Sequence, residues 1–157
     1  MDLSNTVEVP YCDSADFLWA PDSQRFAFNY SPPHPSHTTW VTTVFYQLRE
    51  GEWVLQPAPI DESAPDSFAR FAKHLPKGLR LPRVWKKIQP RLVFKVTKWT
   101  DAHTALLYAY TTTGESEDAS AFLFTVKFGA ADKREITASR QLKGEEIEAA
   151  REVAPAL

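Results

Sequence analysis

A chain of 157 residues that is 43% hydrophobic and 13% aromatic carries enough apolar material for a globular core, and differs from the aromatic-poor chains that stay disordered. Its one cysteine, Cys12, excludes an internal disulfide and a multi-cysteine zinc site. The net charge of −2 conceals a division: residues 67–100 hold ten basic residues and no acid, leaving eight basic and all twenty acidic residues elsewhere.

Met1 to Pro10 lacks the basic start and apolar centre of a signal peptide, and no apolar run of about 18 residues could span a bilayer. No membrane span is expected, and a periplasmic or secreted setting is expected only if a leader preceded Met1. Pro21-Asp22-Ser23 reads as a type I turn entering a strand in which Phe26, Phe28 and Tyr30 share one face. A proline-rich connection, 31–38, leads to alternating Val44, Tyr46 and Leu48 and the hairpin tip Arg49-Glu50-Gly51-Glu52. The period then changes. Phe68, Phe71, Ala72 and Leu75 have helical spacing between Pro65 and the closing pair Pro76 and Gly78. A basic connector, 79–89, precedes a strand with Leu92, Phe94 and Val96 on one face and Arg91, Lys95 and Thr97 on the other. Leu106, Tyr108 and Tyr110 alternate next, then comes an acidic connection, 112–120. Phe122, Phe124, Val126 and Phe128 follow, and after them a tip at Gly129–Asp132. Ile147, Ala150 and Ala154 predict a second, weaker helix behind Gly144-Glu145-Glu146.

The pattern occurs twice. Trp19–Tyr30 lies over Trp99–Tyr110 at an offset of eighty residues, and Val44, Tyr46 and Leu48 fall over Phe124, Val126 and Phe128 without a gap. This predicts a mainly β (α+β) fold: two four-stranded antiparallel blade-like sheets, each followed by a short helix, related by a pseudo-twofold repeat. One domain, 1–157, then consists of a first unit at 5–78 and a connector with second unit at 79–157. The expected packing is a sandwich-like pair of sheets with the helices over an edge or end; the alternative joins two chains into a four-bladed ring, a homodimer. Trp19 and Trp99 are expected in the core, Trp53 in a hairpin strand, and Trp40 and Trp85 at the surface.

Phe17-Leu-Trp-Ala-Pro-Asp-Ser-Gln-Arg-Phe-Ala-Phe-Asn29 resembles the blade motif of WD40-like and TolB-type β-propellers, with its W-S-P-D-S/G turn before an apolar strand. The two-unit arrangement is similar to short uncharacterised bacterial proteins carrying one SPDS-type unit, a helix and a second unit. In the second unit Thr100-Asp101-Ala102-His103 replaces the Pro-Asp-Ser turn. The resemblance implies a rigid scaffold whose loops bind a partner, and it implies no activity.

No Gly-x-Ser-x-Gly, His-Glu-x-x-His or phosphate-cradling glycine loop is present, so no catalytic, metal or cofactor residue is assigned and no cofactor is expected. His34 and His37 could ligate a metal but lack a third ligand at a recognisable spacing; with Trp40 they are candidate binding residues of the proline-rich loop. Arg83, Trp85, Lys86 and Lys87 are the candidate centre of a basic patch. Asn29-Tyr30-Ser31 matches a glycosylation sequon at a strand end. The sequence thus reads as a non-enzymatic binding or interaction module for a protein or small ligand, with loops 31–39 and 112–120 as contacts. The alternative is polyanion or nucleic-acid binding through 70–98, although the near-neutral total charge argues against nucleic acid. A metal-dependent or other hydrolase stands third.

Overall fold

The computed structural model describes residues 15–30, 42–56, 58–60, 66–87, 90–112, 120–129 and 133–147. Strands β1 (Ala15–Trp19), β2 (Arg25–Tyr30), β3 (Thr42–Arg49) and β4 (Glu52–Gln56) form one antiparallel meander. Helix α1 (Ser67–Ala72) and a 3-10 turn (Arg83–Lys86) follow. Strands β5 (Arg91–Asp101), β6 (Thr104–Thr112), β7 (Ser120–Phe128) and β8 (Arg134–Gln141) form a second meander of the same order. The fold is therefore mainly β, with two four-stranded antiparallel sheets and small helical segments after each. After β8 the helical residues are Glu145–Ile147; Ala150 and Ala154 lie outside the described residues.

Local chemistry makes each hairpin. At Glu50 and Gly51 φ is positive, at 50° and 87°, the conformation a two-residue turn needs to match strand twist. Asp22 accepts the N–H of Gln24 at 3.0 Å, and Asp101 accepts that of His103 at 2.7 Å. The second unit thus keeps the aspartate turn of the first without its proline.

Ala27 and Phe45 of the first sheet, Phe71 of α1, Trp85 of the 3-10 turn and Phe94, Phe122 and Phe124 of the second sheet share one core. Strand β5 lies across β1, β2 and β3. Helix α1 does not cover an edge, as the sequence led us to expect: it sits on the face of the second sheet, with the Phe71 ring 5.6 Å from Phe122 and 5.7 Å from Phe124. The reason is apolar area. That face presents phenylalanines along β7 that the first sheet does not cover, and burying them contributes about 2 kcal/mol per side chain. Its opposite face, with Val93, Tyr108 and Tyr110, is closed by Leu142 and Ile147.

The gapless repeat does not survive as residue equivalence. Phe28 pairs with Val44, but Tyr108 pairs with Leu123 rather than Phe124. One residue of slip exchanges faces. Val44 and Tyr46 consequently belong to the outer aromatic cluster of the first sheet, whereas Phe124 and Val126 point into the shared core. In β5 the register shifts between Val96 and Lys98, leaving Thr97 as an extra residue, so Trp99 pairs with Ala105 and turns inward. Trp19, in an unbulged strand, pairs with Phe26 and turns outward, where it is 50% exposed. The expectation of a buried Trp19 is thereby corrected; Trp99, at 7%, is in the core.

Candidate anion-binding site

In a meander the first and third turns leave the same end of the sheet, so the tips β1–β2 and β3–β4 share one end and β5–β6 and β7–β8 another. Where the two ends meet lies a cleft of about 680 Å³. Arg25 and Arg49 line it from the first sheet, and Lys127, Lys133 and His103 from the second, with Glu135 as the lining carboxylate. Four permanent cations thus converge from positions far apart in the chain.

Each is placed by its strand. Arg25 opens β2 on the inner face, opposite Gln47, and is 8% exposed. Its Nη1 donates to the Ala102 carbonyl at 3.2 Å, and the Asp22 carboxylate stands 3.7 Å away. Arg25 thereby ties the first sheet to the β5–β6 hairpin, while its Nε is buried with no hydrogen-bond partner among the described residues. Arg49 ends β3 and donates to Gln47 Oε1 at 3.2 Å. Lys127 and Lys133 are exposed on either side of the β7–β8 turn, closed by the Gly129 N–H donating to the Lys133 carbonyl at 2.7 Å. Phe128 forms part of the lining but keeps its ring in the core, 4.9 Å from Phe45 and 5.2 Å from Trp99. The Phe128 N–H donates to the His103 carbonyl at 2.8 Å, fixing the two tips of the second sheet to each other. Arg134 next to the cleft is held below the ordinary arginine value, first by burial and then by the charge of Arg49.

Of the residues singled out in the sequence, Arg83, Trp85 and Lys87 do not line this cleft. His34, His37 and Trp40 fall outside the described residues, as does most of each expected contact loop. Trp85 is corrected from surface to core: it is 4% exposed, with its ring perpendicular to Phe68 at 5.7 Å. A tryptophan beside lysines reads as exposed in sequence, but the tight 3-10 turn directs it onto α1. Arg83 and Lys87 are exposed; the side chain of Lys86 lies outside the described set. Within the basic segment one residue is turned inward and another is ion-paired at the surface. Lys95 is 6% exposed, 3.6 Å from Asp16, and Arg70 is paired with Asp66 at 2.8 Å.

The sequence reasoning missed the cleft residues because they occur singly, among acids, at strand ends. The available signal was the pair of tips already recognised, the first at 49–52 opening on Arg49 and the second at 129–132 flanked by Lys127 and Lys133. Among the described residues no three His, Cys, Asp or Glu side chains are grouped as metal ligands, and no helix is long and apolar enough to cross a membrane. No family model, no curated protein and no solved structure matches this chain.

Proposed function

We propose that this protein is a non-enzymatic binding module on a scaffold of two blade-like sheets, and that it takes an anionic ligand in the cleft between the hairpin tips. The observation that carries the reading is the convergence of Arg25, Arg49, Lys127 and Lys133, against one lining carboxylate, on a cleft of about 680 Å³. Cations gathered on facing walls raise the local concentration of anions and offer charge-assisted hydrogen bonds. Strand ends held by paired sheets are rigid supports for such contacts. The reading moves the site away from 70–98, where Lys95 and Trp85 are turned inward.

Retention on heparin and binding of inorganic tripolyphosphate test it. Arg49→Glu with Lys133→Glu should abolish both, whereas Arg83→Glu with Lys87→Glu should leave both within about twofold. Loss with the second pair alone would return the site to the basic segment.

A further inference from the structure

Strand β4 is an outer edge of the first sheet, and we infer that it is the pairing edge for a second copy of this chain, antiparallel and two-fold about Val54. The pairing is independent of the anion site. Strands β1 and β5 lie against each other, which leaves β4 and β8 as the outer edges of the two sheets. Their chemistry differs. Strand β8 carries Arg134, Glu135 and Arg140 and exposes no large apolar side chain, as a protected edge does. Strand β4 has Glu52 as its one charge and exposes Val54 at 38% and Leu55 at 42%, on opposite faces of the strand.

The hairpin decides which backbone groups this edge offers. The two-residue turn at Glu50 and Gly51 makes Arg49 and Glu52 the closing hydrogen-bonded pair, and the ladder alternates from there. Glu52, Val54 and Gln56 therefore turn their N–H and C=O groups towards β3, while Trp53 and Leu55 turn theirs outward. Among the described residues no backbone group of another element takes them. A two-fold axis at Val54 sets Trp53 opposite the partner's Leu55, and each such pair exchanges two hydrogen bonds.

The side chains agree with that register. Trp53 meets Leu55 on the outer face and Val54 meets its own copy on the inner face, while Glu52 meets Gln56, so no like charges are opposed. Moving the axis to Trp53 or Leu55 leaves residues of the five-residue strand unpaired. Trp53 packs on the outer cluster of Phe26 and Tyr46, and Leu55 pairs with Tyr46, so the joined sheet carries that apolar face across both copies. Five paired residues bury an area at the small end of specific interfaces, which makes the dimer reversible.

Sedimentation equilibrium of the full chain from about 1 to 500 μM is the test, with half-dimerisation expected at about 10–100 μM. Val54→Lys opposes like charges at the axis and should weaken the dimer at least about tenfold, with circular dichroism spectrum and melting temperature unchanged. Ala138→Lys puts the same charge on β8 and should leave the dimer within about twofold. The register has its own readout. In a Cys12→Ser background, which removes the one native cysteine, Val54→Cys should form a disulfide between copies, because residues opposed at a non-hydrogen-bonded site have Cα atoms about 4.5 Å apart. Glu52→Cys in that background sets the two cysteines four residues, roughly 13 Å, out of line and should not cross-link. A chain still monomeric at about 500 μM, a dimer indifferent to Val54→Lys, or cross-linking through position 52 in preference to 54 overturns the inference. So does a monomer that takes up an extended peptide of another sequence along β4.

Discussion

The carboxamide of Asn29 forms a two-bond ring with the backbone of Val96: Nδ2 donates to the Val96 carbonyl and Oδ1 accepts the Val96 N–H, each at 2.9 Å. Strand β5 is the edge of its sheet, and these are the groups a further strand would take. A side chain from the face of one sheet thus closes the edge of the other. Thr43 completes the arrangement, its hydroxyl donating to Asn29 Oδ1 at 2.6 Å with the Phe94 carbonyl 3.2 Å away. All of this is buried, and Asn29 is 2% exposed, so its sequon is closed to modification in the folded chain.

Asn29→Ala leaves the N–H and carbonyl of Val96 without partners away from water, each costing about 1–3 kcal/mol, so urea denaturation should show a loss of roughly 2–4 kcal/mol. Asn29→Asp should cost at least as much at neutral pH, because a carboxylate without a donor then faces the Val96 carbonyl. A loss below about 0.5 kcal/mol for both would show that the edge is held by other contacts.

How much of this was legible in the sequence depends on the period of the signal. Alternation at Phe26, Phe28 and Tyr30 and at Phe122 to Phe128, and helical spacing at Phe68 and Phe71, locate real elements, because each pattern reports a local face. Relations between elements were less accessible. The one-residue slip between β6 and β7 is set by pairing and leaves the alternation within each strand unchanged, whereas the bulge at Thr97 shifts the inward face from Val96 to Trp99 in a way that only the pairing with β6 reveals. The cleft was least legible of all: Arg25 and Lys133 are 108 positions apart and meet only once two sheets have paired.

The bulge gives the two tryptophans different costs. Trp99 is buried on Phe45 and Phe128, and its indole Nε1 donates to the Leu18 carbonyl at 2.9 Å, linking the sheets. Trp99→Ala should cost about 3–5 kcal/mol, by lost packing and an unpaired carbonyl. Trp19 lies half exposed on Phe26 and Trp53, and Trp19→Ala should cost about 1–2 kcal/mol. Equal losses in chemical denaturation would restore the equivalence that the sequence offset suggests.

Gly51 has φ of +87° with no atom within 4 Å of the place a methyl group would occupy, so Gly51→Ala meets backbone strain alone. The expected loss is about 1–2 kcal/mol. Gly129, whose φ is not positive and whose added Cβ would stand 3.6 Å from Lys133, should tolerate alanine within about 0.5 kcal/mol. Thermal unfolding of both variants separates turn conformation from a general effect of losing glycine, which would lower both midpoints alike.

Asp101 supplies a pH test of the second aspartate turn. Its carboxyl is held below the ordinary 3.8, first by accepting the His103 N–H and then by the hydroxyl of Thr104. Because the folded value is depressed, the carboxylate stabilises the fold above the unfolded value, and that contribution is lost as pH falls through the folded one. Asp101→Asn keeps an acceptor oxygen for His103 but does not titrate. Wild type should therefore exceed the variant in urea midpoint at pH 7, and the gap should close as pH falls below about 4. A gap that stays constant from neutral to acid pH would show that the turn is held by shape and not by charge. The carbon chemical shift of the Asp101 carboxyl, followed through the same range, should titrate below that of an unstructured aspartate.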